Sequence, residues 1–230
     1  MTPNDGHLVI PKSGTGSGVL ILHSWWGLNS FFKNLCHRFA DAGFVALAAD
    51  LYSGKVATTV SEAKNLRAAV TASRKEPAYK YLMRLIQFLC AHESVRTPQI
   101  AVVGFSMGGH WAFWLAQRPE LPIAATATFY AARSGDYSKS VSSFLCHFAE
   151  MDEWVSPEAI KKLRRGFEKA GCEFTLHTYP GTSHWFFEED RSDVFHPKAS
   201  ELAWERTIDF TNKALKLAKR STGQRKALRP

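Results

Sequence analysis

The sequence predicts an α/β fold with a mostly parallel central sheet and helices on both faces. Three observations carry that prediction. Strand-length runs that are apolar throughout, at residues 19–22, 44–49 and 100–103, match parallel strands buried on both faces. The segments between them place apolar residues at three- and four-residue spacing, as amphipathic crossover helices require. Third, the run at Ile100 ends abruptly in Gly104-Phe105-Ser106-Met107-Gly108, a G-x-S-x-G pattern in which a strand turns sharply into a helix. At 230 residues the chain suits one α/β domain. We expect residues 1–220 to form that domain and 221–230 to be a flexible basic tail.

Taken in order, residues 7–13 read as an edge strand, and Ser13-Gly14-Thr15-Gly16-Ser17-Gly18 as a flexible turn. Its glycines precede a strand and no Gly-Lys-Ser/Thr follows, which excludes a phosphate loop. The strand at 19–22 empties into His23-Ser24-Trp25-Trp26-Gly27-Leu28-Asn29. Asn29 or Ser30 can cap a helix over 31–42, which puts Phe31, Phe32, Leu35 and Phe39 on one face and stops at Gly43. The strand at 44–49 completes a βαβ crossover and ends at Asp50-Leu51-Tyr52-Ser53-Gly54. Residues 61–75 and 76–93 read as two helices. After Ser106 comes an apolar helix to Gln117, then strands at 123–130 and 143–149. Only about a dozen residues separate those two strands, so we expect no cap domain and a fairly open pocket. Ser156-Pro157 opens a helix that stops at Gly171, residues 172–179 alternate as a strand, and the last helix spans roughly 198–219.

Composition narrows the function classes. The first residues carry neither a basic nor an apolar leader and the apolar runs are too short to span a membrane, so a cytoplasmic protein without membrane association is expected. Four dispersed cysteines, with no C-x-x-C and no Cys/His ligand spacing, predict buried thiols, with no disulfide and no metal. The formal charge of +8 is concentrated in Lys213, Lys216, Lys219, Arg220, Arg225, Lys226 and Arg229, which leaves about +1 for residues 1–210. That distribution argues against nucleic acid as the partner, although weak polyanion binding through 213–229 is a minor alternative.

The chemistry concentrates at strand ends. Serine at its ordinary pKa is a weak nucleophile and needs a base within hydrogen-bond reach and a third group to orient that base. In a G-x-S-x-G architecture the acid and then the histidine follow the serine, each at the end of a later strand. Asp152 and His184 occupy those places. His23 is the rival base because it also ends a central strand, but it precedes the serine; Glu150 and Glu153 are substitute acids. The oxyanion hole requires the amide after the nucleophile, from Met107, and one from the loop after the earlier central strand, for which Trp25 is the candidate. Phe105, Tyr130, Trp154 and Trp185 near strand ends suggest an apolar or aromatic acyl group, and Ser24 and Trp26 complete the expected pocket lining.

Five blocks in order, His23 to Leu28, Asp50 to Gly54, Gly104 to Gly109, Met151-Asp152 with Val155 and Pro157, and Tyr179 to Phe186, resemble the dienelactone hydrolase (carboxymethylenebutenolidase) family of the α/β-hydrolase fold over roughly residues 15–215. The resemblance implies hydrolysis of lactones or small esters through an acyl-enzyme, without metal or cofactor. Two departures stand out. The best-known members carry cysteine at the nucleophile position and a glutamate where Ser24 stands. Losing both together is chemically coherent, because serine gives up its proton during attack and needs no thiolate. Among Lys55, Arg67 and Arg74 none aligns clearly with the family's carboxylate-binding arginine.

The expectation is therefore a serine hydrolase, monomeric or homodimeric, that uses Ser106, His184 and Asp152 on a small ester or lactone. Acyl transfer or peptide cleavage by the same residues, and a non-catalytic binding protein on the same fold, are the alternatives.

Overall fold

The computed structural model describes residues 6–72 and 75–227. Its elements run β1 (Gly6–Val9), β2 (Ser17–Leu22), α1 (Ser30–Asp41), β3 (Phe44–Ala49), α2 (Val60–Ala72), α3 (Lys75–Ala91), β4 (Ile100–Phe105), α4 (Met107–Ala116), β5 (Ile123–Phe129), β6 (Ser143–Met151), α5 (Pro157–Ala170), β7 (Phe174–Ser183) and α6 (Pro197–Ala227). The strands form one seven-stranded sheet in the order β1-β3-β2-β4-β5-β6-β7. Every pairing is parallel except the antiparallel edge strand β1.

The apolar runs become the sheet's interior strands for the reason the sequence suggested. β3, β4 and β5 are buried at every position, because helices cover both faces. On one face α1 meets α6, with the Phe39 and Trp204 rings 4.8 Å apart and the Arg38 guanidinium 4.2 Å above the Trp204 ring. α3 meets α4 through Tyr79, whose ring stacks 3.7 Å from that of Trp114. Helix ends follow their capping chemistry. Asn29 Oδ1 accepts from the Phe32 amide, Ser156 Oγ accepts from the Ala159 amide, and Gly171 closes α5 in the left-handed region.

Several boundaries differ from expectation: the edge strand β1 ends at Val9 rather than continuing to residue 13, and β2 begins at Ser17, inside the glycine-rich stretch expected as a turn. β7 runs on through Pro180 and Gly181 to Ser183, since β6 is irregular between Ala149 and Met151 and the pairing resumes at Met151 and Ser183. A proline is tolerated there because β7 is an edge strand. α6 continues past Lys219 to Ala227; residues 228–230 of the expected tail lie outside the described residues.

This topology determines where a site can form. The chain leaves β2 toward β3 on one side, and β4 toward β5 on the other, so the strand order reverses between β2 and β4 and leaves a crevice at their carboxyl ends. Leu22 pairs with Gly104, which brings the loop after β2 beside the turn after β4.

Candidate active site

The β4–α4 turn is tight because its glycines leave no room for side chains. A Cβ on Gly108 would overlap the Leu22 carbonyl of β2, and one on Gly104 would overlap the Gly108 carbonyl. Between them Ser106 takes φ 49° and ψ −111°, a strained conformation for a residue with a Cβ, and projects its side chain above the sheet. Ser106 Oγ lies 2.8 Å from His184 Nε2. His184 follows β7 directly, and its Nδ1 lies 2.8 Å from both carboxylate oxygens of Asp152, just beyond β6. A carboxylate can only accept, so Nδ1 carries the proton and Nε2 is free to take one from Ser106. Asp152 is itself fixed, its Oδ1 accepting from the Trp154 and Val155 amides at 2.8 and 3.0 Å. The side chains of His184 and Asp152 are almost fully buried, which shields the pair from water.

The rival residues are engaged elsewhere. His23 is buried, accepts from the Leu51 amide at Nε2 and donates from Nδ1 to the Ser24 carbonyl; burial lowers its pKa. It therefore anchors the Asp50-to-Gly54 block. Asp50 in turn accepts from the Tyr52 and Gly54 amides, and Tyr52 Oη donates to Met107 Sδ at 3.3 Å. Glu150 accepts from the Gly181 amide and Glu153 is exposed. Among the described residues neither the Trp25 nor the Met107 backbone N–H has a hydrogen-bond partner.

A cavity of about 580 Å³ opens above Ser106. The Trp25, Trp154 and Trp185 rings form one wall, with Trp25 4.8 Å from Trp154 and stacked 5.5 Å from Trp185. Arg67 of α2, Tyr79 of α3, His110 and Trp111 of α4 and Arg133 beyond β5 line it too, with Met107, Tyr130, Val155 and His184 around the Ser106 end. His110 is exposed at the cavity edge, yet partial loss of water around its ring, together with Arg133, Arg67 and His184, lowers its pKa to about 4.

A family model for dienelactone hydrolases matches residues 5–215. The chain belongs to the dienelactone hydrolase family. It is 32% identical over 213 residues to Protein usf of Aquifex pyrophilus, covering 89% of this chain and 91% of that one. A putative carboxymethylenebutenolidase of Aquifex aeolicus is 29% identical over 219 residues, covering 92% and 94%. The crystal structure of a putative dienelactone hydrolase from Klebsiella pneumoniae superimposes with a TM-score of 0.78 at 18% identity, covering 90% of this chain and 92% of that one. The fold is thus the α/β-hydrolase fold of dienelactone hydrolases.

Within this dienelactone hydrolase scaffold, Trp25, Tyr130, Trp154 and Trp185 line the cavity, but Ser24, Trp26 and Phe105 do not. Phe105 ends a strand buried on both faces and packs 4.5 Å from Phe129 and 5.3 Å from Phe32 in the core. Trp26 is buried beneath the Arg191 guanidinium, 4.0 Å away. Ser24 is also buried and donates to Glu188 Oε2 at 2.8 Å. Sequence reasoning missed His110, Arg133 and Glu188. His110 was legible as one helical turn beyond Ser106, and Arg133 as lying just past a strand's carboxyl end. Glu188 left one signal, a carboxylate closing an aromatic run after His184.

Proposed function

We propose that this chain hydrolyses small carboxylic esters or lactones through an acyl-enzyme. The observation that carries this reading is the unbroken hydrogen-bonded chain from Ser106 Oγ through His184 to Asp152, with both links at 2.8 Å. Ser106 Oγ attacks the carbonyl carbon as its proton passes to His184 Nε2, while Asp152 holds the Nδ1–H tautomer and favours the imidazolium. The carbonyl oxygen becomes an oxyanion facing the Trp25 and Met107 amides, which have no hydrogen-bond partner among the described residues, Met107 opening α4. Collapse breaks the acyl–oxygen bond and His184 gives its proton to the leaving alcohol. Water then repeats the sequence on the acyl-Ser106 ester and regenerates the hydroxyl.

The cavity suggests the acyl group. Its tryptophan wall suits an apolar or aromatic body, and Arg67 and Arg133, which also line it, suit a negatively charged substituent. Labelling with a fluorophosphonate probe, and a panel of p-nitrophenyl esters and lactones of graded acyl size and charge, test the reading. Ser106→Ala and His184→Ala should abolish both labelling and turnover. Arg133→Ala should raise KM for anionic acyl groups while leaving neutral ones unchanged. Persistent labelling in Ser106→Ala would overturn the assignment.

A further inference from the structure

Glu188 lies four residues beyond His184 and has no exposed surface. Its carboxylate is held by hydroxyls from two other loops: Ser24 Oγ donates to Oε2 at 2.8 Å and Tyr130 Oη donates to Oε1 at 2.7 Å. Ser24 immediately precedes Trp25. Tyr130 follows β5 at φ 40°, a strained backbone for a tyrosine, and its ring stands 4.8 Å from the His184 ring. The charged groups of the same turn are the adjoining Glu189, Asp190, which accepts from Asn29 Nδ2 and whose charge raises the Glu188 pKa, and Arg191, whose guanidinium covers Trp26 and whose charge lowers it without forming an ion pair with Glu188. From the end of β6, Asp152 acts on Tyr130. Among the described residues no cationic side chain forms an ion pair with Glu188. A buried carboxylate without a counter-ion is costly, and an apolar residue would fill the space more cheaply.

We propose that Glu188 is a positioning residue for hydrolysis: through Ser24 it fixes the strand end that bears the Trp25 amide, and through Tyr130 it holds an aromatic face against His184. The proposal rests on the hydrolase reading above. When His184 takes the Ser106 proton, the resulting imidazolium faces the Tyr130 ring, whose electron density is enriched by the carboxylate that its hydroxyl bonds. The benefit appears only as that charge develops, so it acts on kcat and leaves KM alone. A protonated Glu188 must donate one of its two contacts, which weakens the clip. Burial pushes the Glu188 pKa up to about 8. A rise in kcat should therefore accompany the ionisation of Glu188, as pH passes through about 8.

Steady-state kinetics on a p-nitrophenyl ester from pH 5 to 10 test this with wild type, Glu188→Gln, Ser24→Ala and Tyr130→Phe. We expect Glu188→Gln to lower kcat about 10- to 100-fold, with KM within about twofold and the alkaline step gone. Tyr130→Phe and Ser24→Ala should each reproduce part of that loss; they keep the buried acid and serve if the glutamine variant does not fold. Wild-type kcat and an unchanged profile in Glu188→Gln, or in both hydroxyl variants, overturn the proposal. Full activity in Ser106→Ala would instead overturn the hydrolase reading beneath it.

Discussion

The buried carboxyl of Glu188 gives stability a pH dependence that one substitution can isolate. In the unfolded chain this group titrates at about 4.5, whereas burial raises it to about 8 in the fold, against the lowering effect of its two hydroxyl donors. The folded state therefore holds the proton over a range where the unfolded chain has released it. By linkage the contribution is full below pH 4.5 and is lost as pH rises through 8. Between pH 5 and pH 9 the window covers three pH units, and at about 1.4 kcal/mol per unit the wild type should lose about 4 kcal/mol from this group. Glu188→Gln cannot titrate, and its altered hydrogen bonds add an offset that is the same at every pH. Urea unfolding of both proteins at pH 5, 7 and 9 isolates the effect, because all other ionisations cancel in the difference. The variant should gain on the wild type steadily across the series, by about 4 kcal/mol in total. Parallel stability curves would refute the reasoning and place the ionisation of Glu188 outside this window.

Three further outcomes follow from the geometry. Asp152→Asn removes the acceptor that keeps the proton on His184 Nδ1, and kcat at pH 7 should fall by about 10³- to 10⁴-fold with near-UV circular dichroism unchanged. Gly108→Ala forces a methyl into the Leu22 carbonyl, where backbone meets backbone and nothing flexible can yield; we expect a loss of about 3 kcal/mol or more, measured by thermal unfolding. His110→Gln should leave the shape of the pH–rate profile between pH 5 and 9 unchanged, because this histidine charges only below about pH 4.

What the sequence made legible is whatever local chemistry determines. A continuous apolar run declares a strand covered on both faces, Asn29 and Ser156 declare helix starts, and two glycines around a serine declare a turn that no other residue could make. Asp152 and His184 were legible because each sits where a strand stops, and parallel strands all stop on the same side. Facing was not legible. Phe105 adjoins Ser106, yet one residue along a strand reverses direction, and in a run apolar on both faces no alternation shows which way a ring points. Ser24 and Glu188 are 164 positions apart, and Tyr130 and Glu188 are 58 apart. Pairings of that range follow from how loops meet over the finished sheet, which no local pattern encodes.

That long-range pairing bears on the two departures seen in the sequence. Where the resemblance places a glutamate this chain has Ser24, yet a carboxylate still meets that position, delivered from the loop that carries the base. Its direction matters. A thiolate is stabilised or released as a preformed anion, whereas a serine alkoxide never accumulates, and the charges that grow during its attack are an oxyanion and an imidazolium. An anion beside Ser106 would oppose the first. Glu188 is instead turned toward Ser24 and Tyr130, and Tyr130 is the ring that faces His184, so once Glu188 ionises, above about pH 8, its charge is applied to the partner that becomes positive. Serine at position 106, serine at position 24 and a buried acid at position 188 are then one electrostatic solution, in which negative charge is kept off the nucleophile and placed behind the base.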